Sequence, residues 1–155
     1  MKKDLLVCLT FSLLLVLSIN KNVYSLVVNN ESKYAVFEDV YNKSVVKEGA
    51  REITYEQFMK IKNSPGKCVL FDVRSEESYK AGHIDGALSF PVKTINKATA
   101  EKRLTGDSKI IVYCASFECH ASTQAAKTLS SLGYKVVDYK GGIKEWQEKG
   151  NKLEK

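Results

Sequence analysis

Strands alternating with helices predict an α/β domain on an open parallel sheet with helices on both faces. Three observations carry this. Cys68-Val69-Leu70-Phe71, Ile110-Ile111-Val112-Tyr113 and Val136-Val137-Asp138-Tyr139 are short, mostly apolar runs, the form of buried parallel strands. Ala121, Ala125, Ala126, Leu129 and Leu132 make one apolar stripe at helical spacing between the second and third runs. Turn residues, Asn63-Ser64-Pro65-Gly66 and Gly106-Asp107, separate the patterned segments.

The 155 residues suffice for one domain with one core. Residues 1–25 have the order of a bacterial-type secretory signal peptide. Lys2 and Lys3 precede an apolar run over 5–19, Asn20-Lys21-Asn22 follows, and Val23-Tyr24-Ser25 offers short residues at −3 and −1 of a cleavage site. A helix over that run spans about 22 Å, short of a bilayer core of about 30 Å. The expectation is therefore cleavage and export, to a periplasm or the medium, with no stable membrane insertion. Residues 26–52 form an amino-terminal arm or extension. Its patches, Tyr34-Ala35-Val36-Phe37 and Ser44-Val45-Val46, leave open a strand, a helix on the domain or an extended arm.

The domain proper is expected over 53–150. Thr54 with Gln57 makes a capping box and Ile53 with Phe58 a hydrophobic staple, so a helix should run to about Lys62. After the turn at 63–66 comes the strand 68–71. Ser75 caps a helix through about Lys80, and Gly82 ends it. Gly86-Ala87-Leu88-Ser89-Phe90-Pro91 reads as a short strand entering a loop. A solvent-facing helix is expected over 94–104. The turn at Gly106-Asp107 leads into a central strand that ends at Cys114. The helix from about Ala121 closes on Gly133 as a C-cap. Gly141-Gly142 opens a last helix carrying Ile143 and Trp146, and 151–155 is a tail.

Net charge is +6; three lysines and one aspartate lie in residues 1–25, so the remainder carries +4. Lysines alternate with Asp and Glu, the pattern of a solvated surface, and no basic run is interleaved with aromatics. This argues against nucleic acid. Without Cys8, three cysteines are left, Cys68, Cys114 and Cys119. An odd number fits one pair plus a buried thiol, or a free reactive thiol, and not a disulfide scaffold. Cys68, opening a buried strand, is expected to be buried and unreactive.

Cys114 carries the chemistry. A strand that stops at a cysteine puts the sulfur at the carboxyl edge of the sheet, where α/β sheets build their sites. The helix that follows turns its free N–H groups toward that sulfur and favours thiolate. The free-cysteine pKa of about 8.5 leaves roughly 3% thiolate at pH 7, whereas a pKa near 6.5 would give about 75%. Other residues read as framework. Asp72, just past a strand, can accept backbone N–H groups and tie down a loop. Arg74 and Glu77 are spaced to pair across the next turn. His83 lies in a tight turn, Gly141-Gly142 permits close backbone approach to the cysteine loop, and Trp146 reads as core.

Three segments together resemble the rhodanese-like family over about residues 53–150. They are Asp72-Val73-Arg74 with Glu77-Ser78-Tyr79, Gly82-His83-Ile84 and Gly86-Ala87; then Tyr113-Cys114; then Gly141-Gly142-Ile143 with Trp146. The resemblance implies a rhodanese-like fold and an exported sulfurtransferase. Its Cys114 thiolate takes the outer sulfur of a small sulfur donor, becomes a persulfide, and passes that sulfur to a thiol or another nucleophilic acceptor. Backbone N–H groups of the loop, from Ala115, Ser116, Phe117, Glu118, His120, Ala121 and Ser122, would hold the developing charge as an anion nest. No metal or organic cofactor is required.

The loop departs from the family pattern. Cys114-Ala115-Ser116-Phe117-Glu118-Cys119-His120-Ala121-Ser122 is about two residues longer and has no Arg or Lys, which counts against a strong preference for thiosulfate. His120 is the one residue able to add partial charge there. It also stands where a Cys-x5-Arg phosphatase needs arginine, and the same count from Cys119 reaches Ala125, so phosphatase chemistry is excluded. Cys119 keeps three readings: an inert wall of the helix start, a second thiol that resolves the persulfide or pairs with Cys114, or the nucleophile itself. Beside sulfur transfer stand two alternatives, thiol–disulfide redox chemistry on the two cysteines and a non-catalytic binding module.

Overall fold

The computed structural model describes residues 33–66 and 68–155. Residues 1–25, where a signal peptide is expected, and residues 26–32 lie outside the described residues. In chain order the elements are α1 (Ala35–Lys43), β1 (Val45–Lys47), β2 (Ala50–Ile53), α2 (Tyr55–Lys62), β3 (Val69–Asp72), α3 (Glu76–Ala81), β4 (Leu88–Ser89), α4 (Lys97–Glu101), β5 (Lys109–Tyr113), α5 (Ala121–Ser131), β6 (Lys135–Tyr139) and α6 (Gly142–Glu148). The six strands form one sheet in the order β1-β2-β6-β5-β3-β4. Only β1 and β2 pair antiparallel; the other pairs are parallel.

Local signals account for most of these elements. The Gln57 N–H donates to Thr54 Oγ1 at 3.3 Å and the Thr54 N–H to Gln57 Oε1 at 2.9 Å, which completes the capping box of α2. Leu132 caps α5, and Gly133 follows it at φ +93°. The Tyr134 N–H reaches the Leu129 carbonyl at 3.2 Å and the Gly133 N–H that of Ser130 at 3.0 Å, a Schellman closure. The helix expected over 94–104 is shorter. A 3-10 turn, Val92–Thr94, comes first. Asn96 then starts α4 afresh, its Oδ1 accepting the Thr99 N–H while Thr99 Oγ1 accepts the Asn96 N–H. Side chains that bond the backbone locally break a helix before them and cap one after them.

Residues 35–53 form a helix and two strands. Helix α1 sets Phe37 and Val40 in the core. Glu48 and Gly49, both at positive φ, turn β1 into β2 in a two-residue hairpin. Strand β2 then pairs parallel with β6, so the sheet reaches back to Val45, ahead of the boundary drawn at Ile53. The tail is also engaged. The His83 and Glu154 backbones exchange two hydrogen bonds of 2.9 Å.

Alternation along the strands divides the core in two. Ile53, Leu70, Ile111, Tyr113, Val137 and Tyr139 face α1, α2 and α6. Phe71, Ile110, Val112 and Val136 face α4 and α5 with Ala125, Ala126 and Leu129. Both sheet faces are covered, which is why the strands read as continuous apolar runs. Each fully buried Val, Ile or Leu contributes about 1.5–3 kcal/mol. Alternation past Val112 sets Cys114 on the α5 face, at the carboxyl end of a strand with neighbours on both sides.

Candidate active site

A buried carboxylate fixes the strand ends beside the cysteine. Asp72, the last residue of β3, has no solvent exposure. It accepts the Arg74 backbone N–H at 3.0 Å, Arg74 Nε and Nη2 at 3.0 and 2.6 Å, and the Tyr113 hydroxyl at 2.9 Å. Arg74 Nη2 also donates to the Gly82 carbonyl at 2.6 Å. This corrects the expected Arg74–Glu77 pair. Asp72 takes the guanidinium with two oxygens, and Glu77 lies exposed on the first turn of α3, its carboxyl held below the usual range by its own N–H and the Ser75 hydroxyl. The His83 ring stacks on Tyr79 at 3.9 Å between centroids, with Nδ1 3.1 Å from the Tyr79 carbonyl. Trp146 is core, and its Nε1 donates to the Lys152 carbonyl.

Cys114 follows β5 and is 3% exposed. The start of α6 holds it from below. The Ile143 N–H donates to the Cys114 carbonyl at 3.1 Å and the Lys144 N–H to the Ala115 carbonyl at 2.9 Å. That approach needs glycine: Gly142 has φ +58°, and a Cβ there would overlap the Cys114 carbonyl. At Gly141 a Cβ would overlap the Glu145 carboxylate.

The two loop cysteines are joined. Cys114 and Cys119 form a disulfide with their Cα atoms 6.2 Å apart. Of the open readings of Cys119, the structure has the paired one. Between them the chain folds back, with the Cys119 N–H donating to the Ser116 carbonyl at 3.1 Å and the Ser116 hydroxyl to Glu118 Oε2 at 2.5 Å. The Ser116 hydroxyl, and with it the Glu118 N–H, Lys144 and Lys140, holds the Glu118 carboxyl below its usual range. Ala115, Phe117, Glu118 and His120 are exposed, Ser116 and Ala121 are half-buried, and Ser122 is buried. His120 is exposed, and its Nδ1 lies 3.9 Å from Glu48 Oε2.

A cation from outside the loop bonds to it. Lys140 Nζ donates to the Cys119 carbonyl at 2.6 Å and to Thr123 Oγ1 at 3.0 Å. Tyr113 pairs with Tyr139 in register, so Cys114 and Lys140 each follow the end of one of two adjacent parallel strands. Thr123 in turn donates to Asp138, a fully buried carboxyl whose pKa burial pushes up and the nearby hydroxyls and Lys140 pull back. The sequence held a signal for Lys140: once 110–113 and 136–139 are taken as paired strands, one step past each brings the cysteine and the lysine to neighbouring strand ends. An open groove of about 450 Å³ adjoins the loop, lined by Phe117, Lys140, Glu145, Val45, Ile53 and Gln57 among others.

Cys68 lies apart from this site. It precedes β3 and is half-buried rather than enclosed, because the sheet cover thins at the strand's amino end. Burial still pushes its thiol up to about 12, a value that keeps it protonated at neutral pH.

A family model described as "Rhodanese-like domain" matches residues 54–149. Human thiosulfate:glutathione sulfurtransferase is 35% identical over 97 residues, covering 54% of this chain and 83% of the relative. An HTH-type transcriptional regulator of Mycobacterium tuberculosis, Rv0324, is 36% identical over 85 residues, 55% of this chain but only 37% of the regulator's own length. Among solved structures, the BH2092 protein of Bacillus halodurans superposes with a TM-score of 0.60 at 35% identity, covering 66% of this chain and 75% of that one.

Proposed function

The chain belongs to the rhodanese-like domain family, and we propose that it is a sulfurtransferase carrying sulfane sulfur as a persulfide on Cys114. The observation that carries the reading is the position of Cys114, at the end of a central parallel strand, with Lys140 just past the end of the neighbouring strand and bonded to the Cys119 carbonyl of the same loop. In the reduced protein the Cys114 thiolate attacks the outer sulfur of a small donor, the donor's S–S bond breaks, and its remainder leaves with the electron pair. A thiol or other nucleophile then takes the terminal sulfur and restores the thiolate. Lys140 supplies the cation that the loop lacks, which makes an anionic donor such as thiosulfate acceptable. A cation beside a thiolate lowers its pKa. The relative named thiosulfate:glutathione sulfurtransferase supports the same class of donor and acceptor.

The test is a single turnover. Protein reduced and freed of reductant, mixed with thiosulfate, is expected to release one equivalent of sulfite in a burst; with a low-molecular persulfide it should release the corresponding thiol. No burst with either donor would overturn the reading. The second reading, thiol–disulfide redox chemistry, is favoured by the Cys114–Cys119 bond itself. It would then take precedence if the disulfide exchanges with external thiols, and a binding module if it does not.

We also propose export. The support is the charged, apolar and cleavage-site order of residues 1–25, with a disulfide suited to an oxidising compartment. Amino-terminal sequencing of protein from the exporting cell is expected to begin near Leu26; an intact Met1 in the membrane fraction would overturn it.

A further inference from the structure

The disulfide says which sulfur Cys119 can reach. Four residues lie between the cysteines, and both are anchored from outside the loop. The α6 N–H groups hold the carbonyls of Cys114 and Ala115, and Lys140 holds the carbonyl of Cys119. In this arrangement Sγ of Cys119 comes within bonding distance of Sγ of Cys114. A persulfide on Cys114 keeps that same Sγ as its inner sulfur, and its outer sulfur extends one bond beyond. The second cysteine is therefore placed to attack the inner sulfur, where the group expelled is the sulfane sulfur itself. Holding the two reactants together in one loop gives Cys119 the advantage of an intramolecular nucleophile over dissolved thiols.

Building on the sulfurtransferase reading, we infer that Cys119 resolves the Cys114 persulfide by attacking its inner sulfur, so that the protein reduces sulfane sulfur and releases it as sulfide. The Cys119 thiol gives up its proton, and its sulfur bonds to Sγ of Cys114. The bond from Sγ to the outer sulfur breaks, and its electron pair leaves with that sulfur as hydrosulfide. The sulfane sulfur gains two electrons and the two cysteines lose two, which leaves the Cys114–Cys119 disulfide seen here. An external dithiol, through two exchanges at that disulfide, returns both thiols. The full cycle converts thiosulfate and a dithiol into sulfite, sulfide and a disulfide. Sulfur transfer to an outside acceptor and reductive release thus branch from one persulfide, and Cys119 decides between them.

The experiment uses the reduced, desalted protein and one equivalent of thiosulfate, and measures sulfite, sulfide and intact mass together. The wild type is expected to release about one equivalent each of sulfite and sulfide, and to end two hydrogens lighter, with a peptide linking Cys114 and Cys119. Cys119→Ser is expected to release at least tenfold less sulfide and to gain one sulfur on Cys114. A wild type that releases sulfite, keeps the extra sulfur and leaves Cys119 free to alkylation would overturn the inference while the transfer reading stands. No sulfite from the wild type, together with no thiol released from a low-molecular persulfide, would overturn both. The wild-type arm decides the question even if Cys119→Ser fails to fold.

Discussion

Cys114→Ser is expected to slow sulfur loading at least about 10³-fold, with no sulfite burst above background. A serine hydroxyl is almost wholly protonated at neutral pH, and its oxygen cannot carry a persulfide. The surroundings of Cys114 are left in place: the strand end, the N–H groups of Ile143 and Lys144 on the loop carbonyls, and Lys140 on the Cys119 carbonyl. Serine differs by one atom at a site that is 3% exposed, so the fold has little reason to move. Loading is read by intact mass and sulfite release in one turnover, with a thermal melt of the reduced variant as the check on folding. Loading that persists in Cys114→Ser and disappears in Cys119→Ser would make Cys119 the nucleophile. Loss in both would mean that the pair works only as a unit, and the redox reading would replace sulfur transfer.

What the sequence made legible followed from local rules. The capping box at Thr54 and Gln57, the apolar runs of β3, β5 and β6, and the strand-end cysteine each depend on neighbours within a few residues. Where partners lie far apart in sequence, the residues were silent. Strand β1 has every residue exposed and β2 is four residues long, so neither shows an alternation to read; β2 is a strand because β6 pairs with it. Lys140 is remote from Cys114 along the chain, and the two come to neighbouring strand ends only through register. Arg74 does not pair with Glu77 across the turn, because it lies before α3 and turns back to the buried Asp72, whose place beside it the local spacing does not reveal. Pairing of Cys114 with Cys119 stayed open because spacing alone sets no connectivity.

The loop owes its position to a residue with no side chain, and that makes Gly142→Ala the sharpest structural test. Gly142 sits at φ +58°, where an alanine costs about 1–2 kcal/mol. A Cβ there would also overlap the Cys114 carbonyl, which is backbone and has no flexible end to give way. The contact is relieved by moving α6 away from the loop. That breaks the bonds from Ile143 and Lys144 to the Cys114 and Ala115 carbonyls. Displacement of a reacting group by about 1 Å costs on the order of 10²-fold. Gly142→Ala is thus expected to lose at least about tenfold in the rate of the sulfite burst, beyond its loss of stability. Gly133→Ala separates the two effects. Gly133 also has positive φ, at +93°, but nothing lies within 4 Å of its added Cβ. It should lose stability through backbone strain alone and load sulfur at the parent rate. The measurement pairs a thermal melt with single-turnover loading of both variants well below their melting temperatures. Gly142→Ala loading within twofold of the parent would mean that the close approach of α6 does not position the cysteine loop.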